Sequence, residues 1–152
     1  MELRKYEKGS TLIMDVSEIQ KKLKPVLEKE KGLLFGYLFG SAVSGKVGSE
    51  SDIDLAFYLD EKGVKDLFKE RLLLIEKIQS FFQKKVEVII LNEISSIFFK
   101  FVIIKEGKVI FERSHAQRVD FELKTMQDYY DFQPFLKEYN KAYLQRSLKK
   151  LS

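Results

Sequence analysis

The stretch LFGSAVSGKVGSESDIDL, residues 38–55, decides how this chain reads. It opens on the end of an apolar run, Leu33 to Phe39, broken only by Gly36, which has the character of a buried strand. Gly40 to Ser51 then holds three glycines and four serines in twelve positions, a composition suited to tight backbone geometry rather than to packing. Asp52 to Leu59 reads as a second strand. Side chains alternate across a strand, so Asp52 and Asp54 project from one face and Ile53 from the other. Alone, two acids around an apolar residue are the polar side of a half-buried strand. Here they follow a Gly-Ser turn whose backbone N–H groups can face an anion. Paired carboxylates repel unless a cation intervenes, and Mg²⁺ takes one or two carboxylates together with phosphate oxygens. The loop would then contact phosphate and the acids would hold metal.

Working outward, Asp15 and Ser17 offer N-caps for a first helix over about 16–31, which Pro25 is placed to bend. A helical stripe runs through Val64, Leu67, Phe68, Leu72, Ile75, Ile78 and Phe82. Lys85 to Leu91 is a third strand, and Asn92 is the expected cap of a helix through Ile94, Ile97, Phe98 and Phe101 that Gly107 ends. Lys108 to Phe111 is a short strand. Two further amphipathic helices follow, with Pro134 at the start of the second. The pattern predicts an α/β fold with a small mixed β-sheet flanked by helices and a helical C-terminal tail. A single domain over 1–152 is expected, its core at about 30–112 and its C-terminal helices at about 114–150.

Composition narrows the chemistry. The 152 residues include no cysteine and one histidine, His115, which excludes thiolate zinc sites and imidazole clusters, so any metal must take oxygen ligands. His115 itself falls in what reads as a turn before a helix. The net charge of +4 arises from 27 basic against 23 acidic residues, a mixed solvated surface, and direct nucleic-acid binding is not expected. No apolar run approaches the ~20 residues that span a bilayer, so the chain is expected to be cytoplasmic and not to engage a membrane. The aromatic series Tyr129, Tyr130, Phe132, Phe135, Tyr139 and Tyr143 is suited to a partner, although core packing at helical spacing is the simpler account.

Gly40-Ser41, Gly45 and Ser51-Asp52-Ile53-Asp54-Leu55 resemble the GSxxxGxxxxxSDxDL signature of the polymerase-beta-like nucleotidyltransferases in its minimal form. The resemblance covers roughly residues 30–112 in element order. It implies the nucleotidyltransferase fold and a site for a nucleoside triphosphate, with ATP as substrate and Mg²⁺ as cofactor. Gly40, Ser41 and Ser51 would hold the triphosphate. A third carboxylate is implied on the next strand, where Glu87 stands in the slot more often filled by aspartate. Asp52, Asp54 and Glu87 would then surround the metal, with Glu87 drawing the proton from the incoming hydroxyl. The signature often carries Ala-Arg before its second glycine, where this chain has Val43-Ser44. Lys46 is a candidate replacement, although a solvated loop lysine is the simpler reading of it.

The tail, including Tyr129-Tyr130-Asp131, is similar to MntA-type antitoxins that partner HEPN-domain toxins. That likeness implies transfer of AMP to a tyrosine hydroxyl of a cognate HEPN ribonuclease toxin. Two other functions fit the same residues: a small-molecule nucleotidyltransferase of the antibiotic-modifying kind, and an antitoxin that neutralises its toxin by binding alone. An oligomer is compatible with any of them.

Overall fold

A computed structural model of the chain describes residues 6–7, 11–12, 15–40, 43 and 53–151. Two short strands, β1 (Tyr6–Glu7) and β2 (Thr11–Leu12), pair antiparallel near the N-terminus, and no periodicity in that segment had indicated them. Helix α1 (Val16–Glu28) starts where Asp15 turns extended and its Oδ1 accepts the Glu18 N–H at 2.8 Å. Ile19, Leu23 and Leu27, four residues apart, form its buried stripe. Pro25 sits within the helix on an exposed face, where water can satisfy the carbonyl it leaves without a donor.

Strands β3 (Leu33–Phe39) and β4 (Ile53–Leu59) form an antiparallel pair at the centre of the sheet. Leu33 to Leu38 are all buried, as a strand with neighbours on both edges and helices on both faces requires. Helix α2 (Leu67–Phe82) begins later than the apolar stripe suggested. Asp66 caps it by accepting the Lys69 N–H at 3.0 Å, and Val64 is held in the preceding turn by the Asp60 carbonyl. It leads to β5 (Val86–Ile90), which lies parallel to β4. After a single 3₁₀ turn come α3 (Ile97–Glu106) and β6 (Lys108–Glu112), which returns antiparallel to β3. The sheet order β5-β4-β3-β6 is therefore mixed, as expected.

Alternation divides the core between the two faces. Ile53, Leu55, Phe57, Leu59, Val86, Val88 and Ile90 pack with Ile19, Leu23, Leu27, Leu74 and Ile78 from α1 and α2. On the opposite face Phe35, Tyr37 and Ala56 pack with Ile103 of α3, and Phe39, Tyr58, Ile89 and Phe121 border them. Phe121 belongs to α4 (His115–Leu151), and its ring lies 5.6 Å from Phe35 and 5.4 Å from Tyr58.

Two sequence expectations require correction. Asn92 caps no helix: its side chain accepts the Leu59 N–H at 2.9 Å and donates to the Leu59 carbonyl at 2.8 Å, closing the end of β4 as another strand would. Ser96 caps α3 instead, its Oγ accepting the Phe99 N–H at 3.1 Å. The C-terminal segment is one helix of 37 residues rather than two, with Pro134 inside it. Pro134 and Tyr130, whose carbonyl loses its helical donor, are both exposed, so solvent takes the place of the missing bond. Among the described residues no helix is long and apolar enough to cross a membrane.

Candidate active site

The end of the sheet formed by the close of β3 and the openings of β4 and β5 gathers the described candidate residues. Gly40 follows β3 with φ +74°, a left-handed conformation that glycine adopts without the Cβ clash other residues suffer. A Cβ built there would collide with Oδ2 of Asp54. The bare Cα is thus what lets the chain turn directly against this carboxylate. Asp54 is half-buried and lies in register with Phe39 on one side and Glu87 on the other. Phe39, Asp54 and Glu87 consequently form a row across three neighbouring strands, spaced by roughly the 4.8 Å between paired strands.

All three project on the face that carries Ala56 and Ile89, because Ile53, Leu55, Val86 and Val88 are committed to the core opposite. Ile53 and Val86 also fix the two acids along their strands. The Ile53 N–H donates to the Lys85 carbonyl at 3.1 Å, which brings the openings of β4 and β5 level. The Glu87 side chain is exposed. A one-residue slip of either strand would bury an acid and expose a core residue, so the packing of the opposite face sets the register of the site.

Of the residues singled out in the sequence, Gly40, Asp54 and Glu87 come together here. Ser41, Lys46, Ser51 and Asp52 lie outside the described residues. Among the described residues no three metal-ligating side chains converge. The two acids that are described nevertheless suit a hard divalent cation: both offer only oxygen, and they are register neighbours on one face.

His115 is not part of this site. It opens α4 at the opposite end of the sheet, with Nδ1 2.8 Å from Glu112 Oε1. A cavity of about 410 Å³ between α3 and α4, reached by Tyr58, Lys100 and Lys124, is also separate. On that face Ala56 stands between Tyr58 and Asp54, and it is fully buried in the cluster that includes Ile103. The aromatic series divides. Tyr129 is half-buried and stacks on Phe101 with ring centroids 3.8 Å apart, Tyr130, Phe132 and Phe135 are exposed, and the side chains of Tyr139 and Tyr143 lie outside the described residues.

The motif marked one neighbour of the acids without assigning it a role. Phe39 was visible as the last apolar residue before Gly40, and the register places it beside Asp54. Its contact with Phe99 of α3, ring centroids 6.2 Å apart, depends on how α3 crosses the sheet and left no signal in the sequence.

Comparison with known proteins agrees with this architecture. No curated protein matches the sequence. Solved structures share the fold at low identity. A chain from a toxin–antitoxin complex with AMP-PNP superposes with a TM-score of 0.69 at 23% identity, covering 82% of this chain and 98% of its own length. One from the tri-AMPylated Shewanella oneidensis HEPN toxin in complex with MNT antitoxin gives a TM-score of 0.64 at 21% identity, covering 83% and 96%. One from the MntA–HepT toxin–antitoxin gives 0.62 at 21% identity, with the same coverage. The family described as polymerase beta nucleotidyltransferase matches residues 21–116, from within α1 to the start of α4. That span holds every strand of the four-stranded sheet and every residue of the site, and by it the chain belongs to the polymerase beta nucleotidyltransferase family.

Proposed function

We propose that this chain is an antitoxin of the MntA type, a Mg²⁺-dependent adenylyltransferase that moves AMP from ATP to a tyrosine hydroxyl of a cognate HEPN toxin in the cytoplasm. The observation that carries this reading is the meeting of Gly40, Asp54 and Glu87 at one end of the sheet, in a member of a nucleotidyltransferase family. The likeness to chains from complexes that hold AMP-PNP or an AMPylated HEPN toxin supports the nucleotide and the acceptor.

In this reaction the tyrosine oxygen attacks the α-phosphorus of ATP. A new O–P bond forms, the bond to the β-phosphate oxygen breaks, and pyrophosphate leaves. Gly40 allows the backbone to approach the triphosphate closely, and Ser41 and Ser51 add hydroxyl donors, with Lys46 as a point charge. Asp54, with Asp52, would hold the magnesium. When bound, that cation neutralises charge on the triphosphate. Glu87 accepts the tyrosine proton from its exposed position on β5, where the acceptor can reach it without crossing the sheet.

The test is to mix the purified chain with a cognate HEPN protein, ATP and Mg²⁺, and to follow toxin mass and ribonuclease activity together. The expected result is a toxin that gains adenylyl groups on tyrosine as its ribonuclease activity falls. Loss of ribonuclease activity without any adenylyl transfer would instead make the chain a binding antitoxin. Transfer to a small-molecule hydroxyl with the toxin left unmodified would move the acceptor class.

A further inference from the structure

We infer that Phe99, backed by Phe39, forms the wall against which the base of the nucleoside triphosphate packs. The inference rests on the proposed nucleotidyl transfer and adds to it the residue that distinguishes a nucleotide from a bare polyphosphate.

Helix α3 reads Ile97-Phe98-Phe99-Lys100-Phe101-Val102-Ile103-Ile104 before its first polar turn, so it is apolar nearly all the way round. A helix of that kind is ordinarily enclosed by other elements. Only Ile103 is fully buried here, and Phe98 and Phe99 are 55% and 37% exposed. The two exposed rings have different neighbours. Phe98 lies toward α4, with its ring centroid 6.5 Å from that of Tyr129, whereas Phe99 lies toward the sheet and meets Phe39 edge to face at 6.2 Å with 73° between ring planes. Phe39 is the register neighbour of Asp54. The Phe99 ring is thus one side chain removed from the acid row, on the face of the sheet from which the acids project. Its backbone is fixed by the Ser96 cap.

The direction of the reaction assigns this wall to the nucleoside. In the row Glu87, Asp54, Phe39, the base Glu87 lies on the β5 side, so the attacking hydroxyl enters from there. In-line displacement sends pyrophosphate the opposite way, toward Gly40 at the end of β3. The nucleoside hangs from the α-phosphorus off that axis. Among the described residues beside the row, the aromatic surface over this sheet face is the Phe39–Phe99 pair. An aromatic edge beside an open ring suits a purine or pyrimidine through stacking, which tolerates different bases because each has a π face. Asp54 and Glu87 are carboxylates, so within the row of three it is Phe39, with Phe99 behind it, that can receive a flat apolar group.

The test measures binding rather than turnover. Affinities of wild type, Phe99→Ala and Phe99→Tyr are determined for a non-hydrolysable ATP analogue with Mg²⁺ and, separately, for magnesium tripolyphosphate, which has no base. If Phe99 stacks the base, Phe99→Ala weakens the analogue about tenfold, by the usual magnitude of a lost stacking contact, and leaves tripolyphosphate unchanged. Phe99→Tyr, which keeps the ring, retains the wild-type preference. Circular dichroism confirms that the variants are folded, and Phe39→Leu provides a second route to the same loss should Phe99→Ala prove unstable. Equal analogue affinity in wild type and Phe99→Ala overturns the inference. So does an equal loss for both ligands, which would mean that the phosphate site itself had shifted. Failure of wild type to bind either ligand overturns the nucleotidyl-transfer reading, and this inference with it.

Discussion

The two ends of the four-stranded sheet use polar residues in opposite ways. At the far end, Asn92 closes Leu59 by both its donor and its acceptor, and Arg113 donates to the carbonyls of Leu33, Glu28 and Glu30. There Arg118 joins Glu112 at 2.6 Å to Glu122 at 2.7 Å, and Glu122 accepts the buried Tyr37 hydroxyl at 2.7 Å. Burial and the neighbouring Glu122 carboxylate hold the Tyr37 phenol well above its ordinary pKa, so it remains a neutral donor. At the near end, Gly40 brings a bare Cα against Asp54, and Glu87 stands exposed beside it. One end uses its polar groups to tie neighbouring elements to the sheet; the other sets two carboxylates side by side on one face, next to a glycine. Substitutions should therefore separate, those at the near end removing activity and those at the far end removing stability.

The sharpest way to break this contrast is Asp54→Asn, with Asp52→Asn as its companion. Each removes a metal-binding charge at almost constant volume, so transfer should fall by at least about 10²-fold, given the several kcal/mol attributed to such electrostatic stabilisation. The thermal midpoint of Asp54→Asn should stay level or rise without metal, as repulsion between register neighbours is relieved. Rates within tenfold of wild type, followed by AMP transfer, would remove Asp54 from the chemistry.

Glu87→Gln comes next, with an expected loss of roughly 10²–10⁴-fold in transfer, the range for a missing general base. ATP affinity should hold if Glu87 acts only on the proton and should fall if it also ligates metal, which titration with ATP and Mg²⁺ distinguishes. A Gln variant that modifies the toxin at the wild-type rate would reduce Glu87 to an acid on the sheet edge. Gly40→Val should weaken triphosphate binding by about tenfold or more, because a branched side chain is strained at positive φ and must displace the Asp54 carboxylate. Ser41→Ala should cost less. Equal affinities for wild type and Gly40→Val would place the phosphates elsewhere.

The near end was also the more legible of the two in the sequence, for a physical reason. Its information is local where the residues alone carry it: period-two alternation fixes the face of Asp54 and a glycine marks the turn, whereas Glu87 entered only as what the resemblance to the nucleotidyltransferases implies. The strand bounds of β3 were readable because a central strand is apolar throughout. The far end depends on partners distant in the chain. Asn92 looked like a helix cap because asparagine favours caps, and nothing nearby shows that Leu59, 33 residues earlier, competes for its side chain. Pro134 looked like a helix start because proline favours that position, and continuity of α4 depended on exposure that a sequence does not state. The meeting of Phe99 with Phe39 was hidden for the same reason, since it follows from how one element crosses another.

The smallest effect tests the far end by itself. Glu112 accepts from Arg118 at 2.6 Å and lies 2.8 Å from His115 Nδ1, and the Arg118 hydrogen bond in particular holds its carboxyl below the ordinary carboxylate value. A group whose pKa is lower in the folded than in the unfolded chain stabilises the fold fully above its unfolded pKa. That contribution disappears as pH falls through the folded value. Glu112→Gln should therefore lower the thermal midpoint near neutral pH by only about 1–3 °C, since the pair is solvent-exposed and screened. The gap between wild type and variant should close as pH is taken well below the ordinary value of 4.5. ATP affinity should not change, because Glu112 pairs with Phe35 near the start of β3 while Gly40 follows its end. A gap independent of pH would mean that the Glu112 side chain contributes through packing rather than charge. A change in ATP affinity would show that the two ends of the sheet are coupled, and the separation of stability from chemistry would fail at its most conservative test.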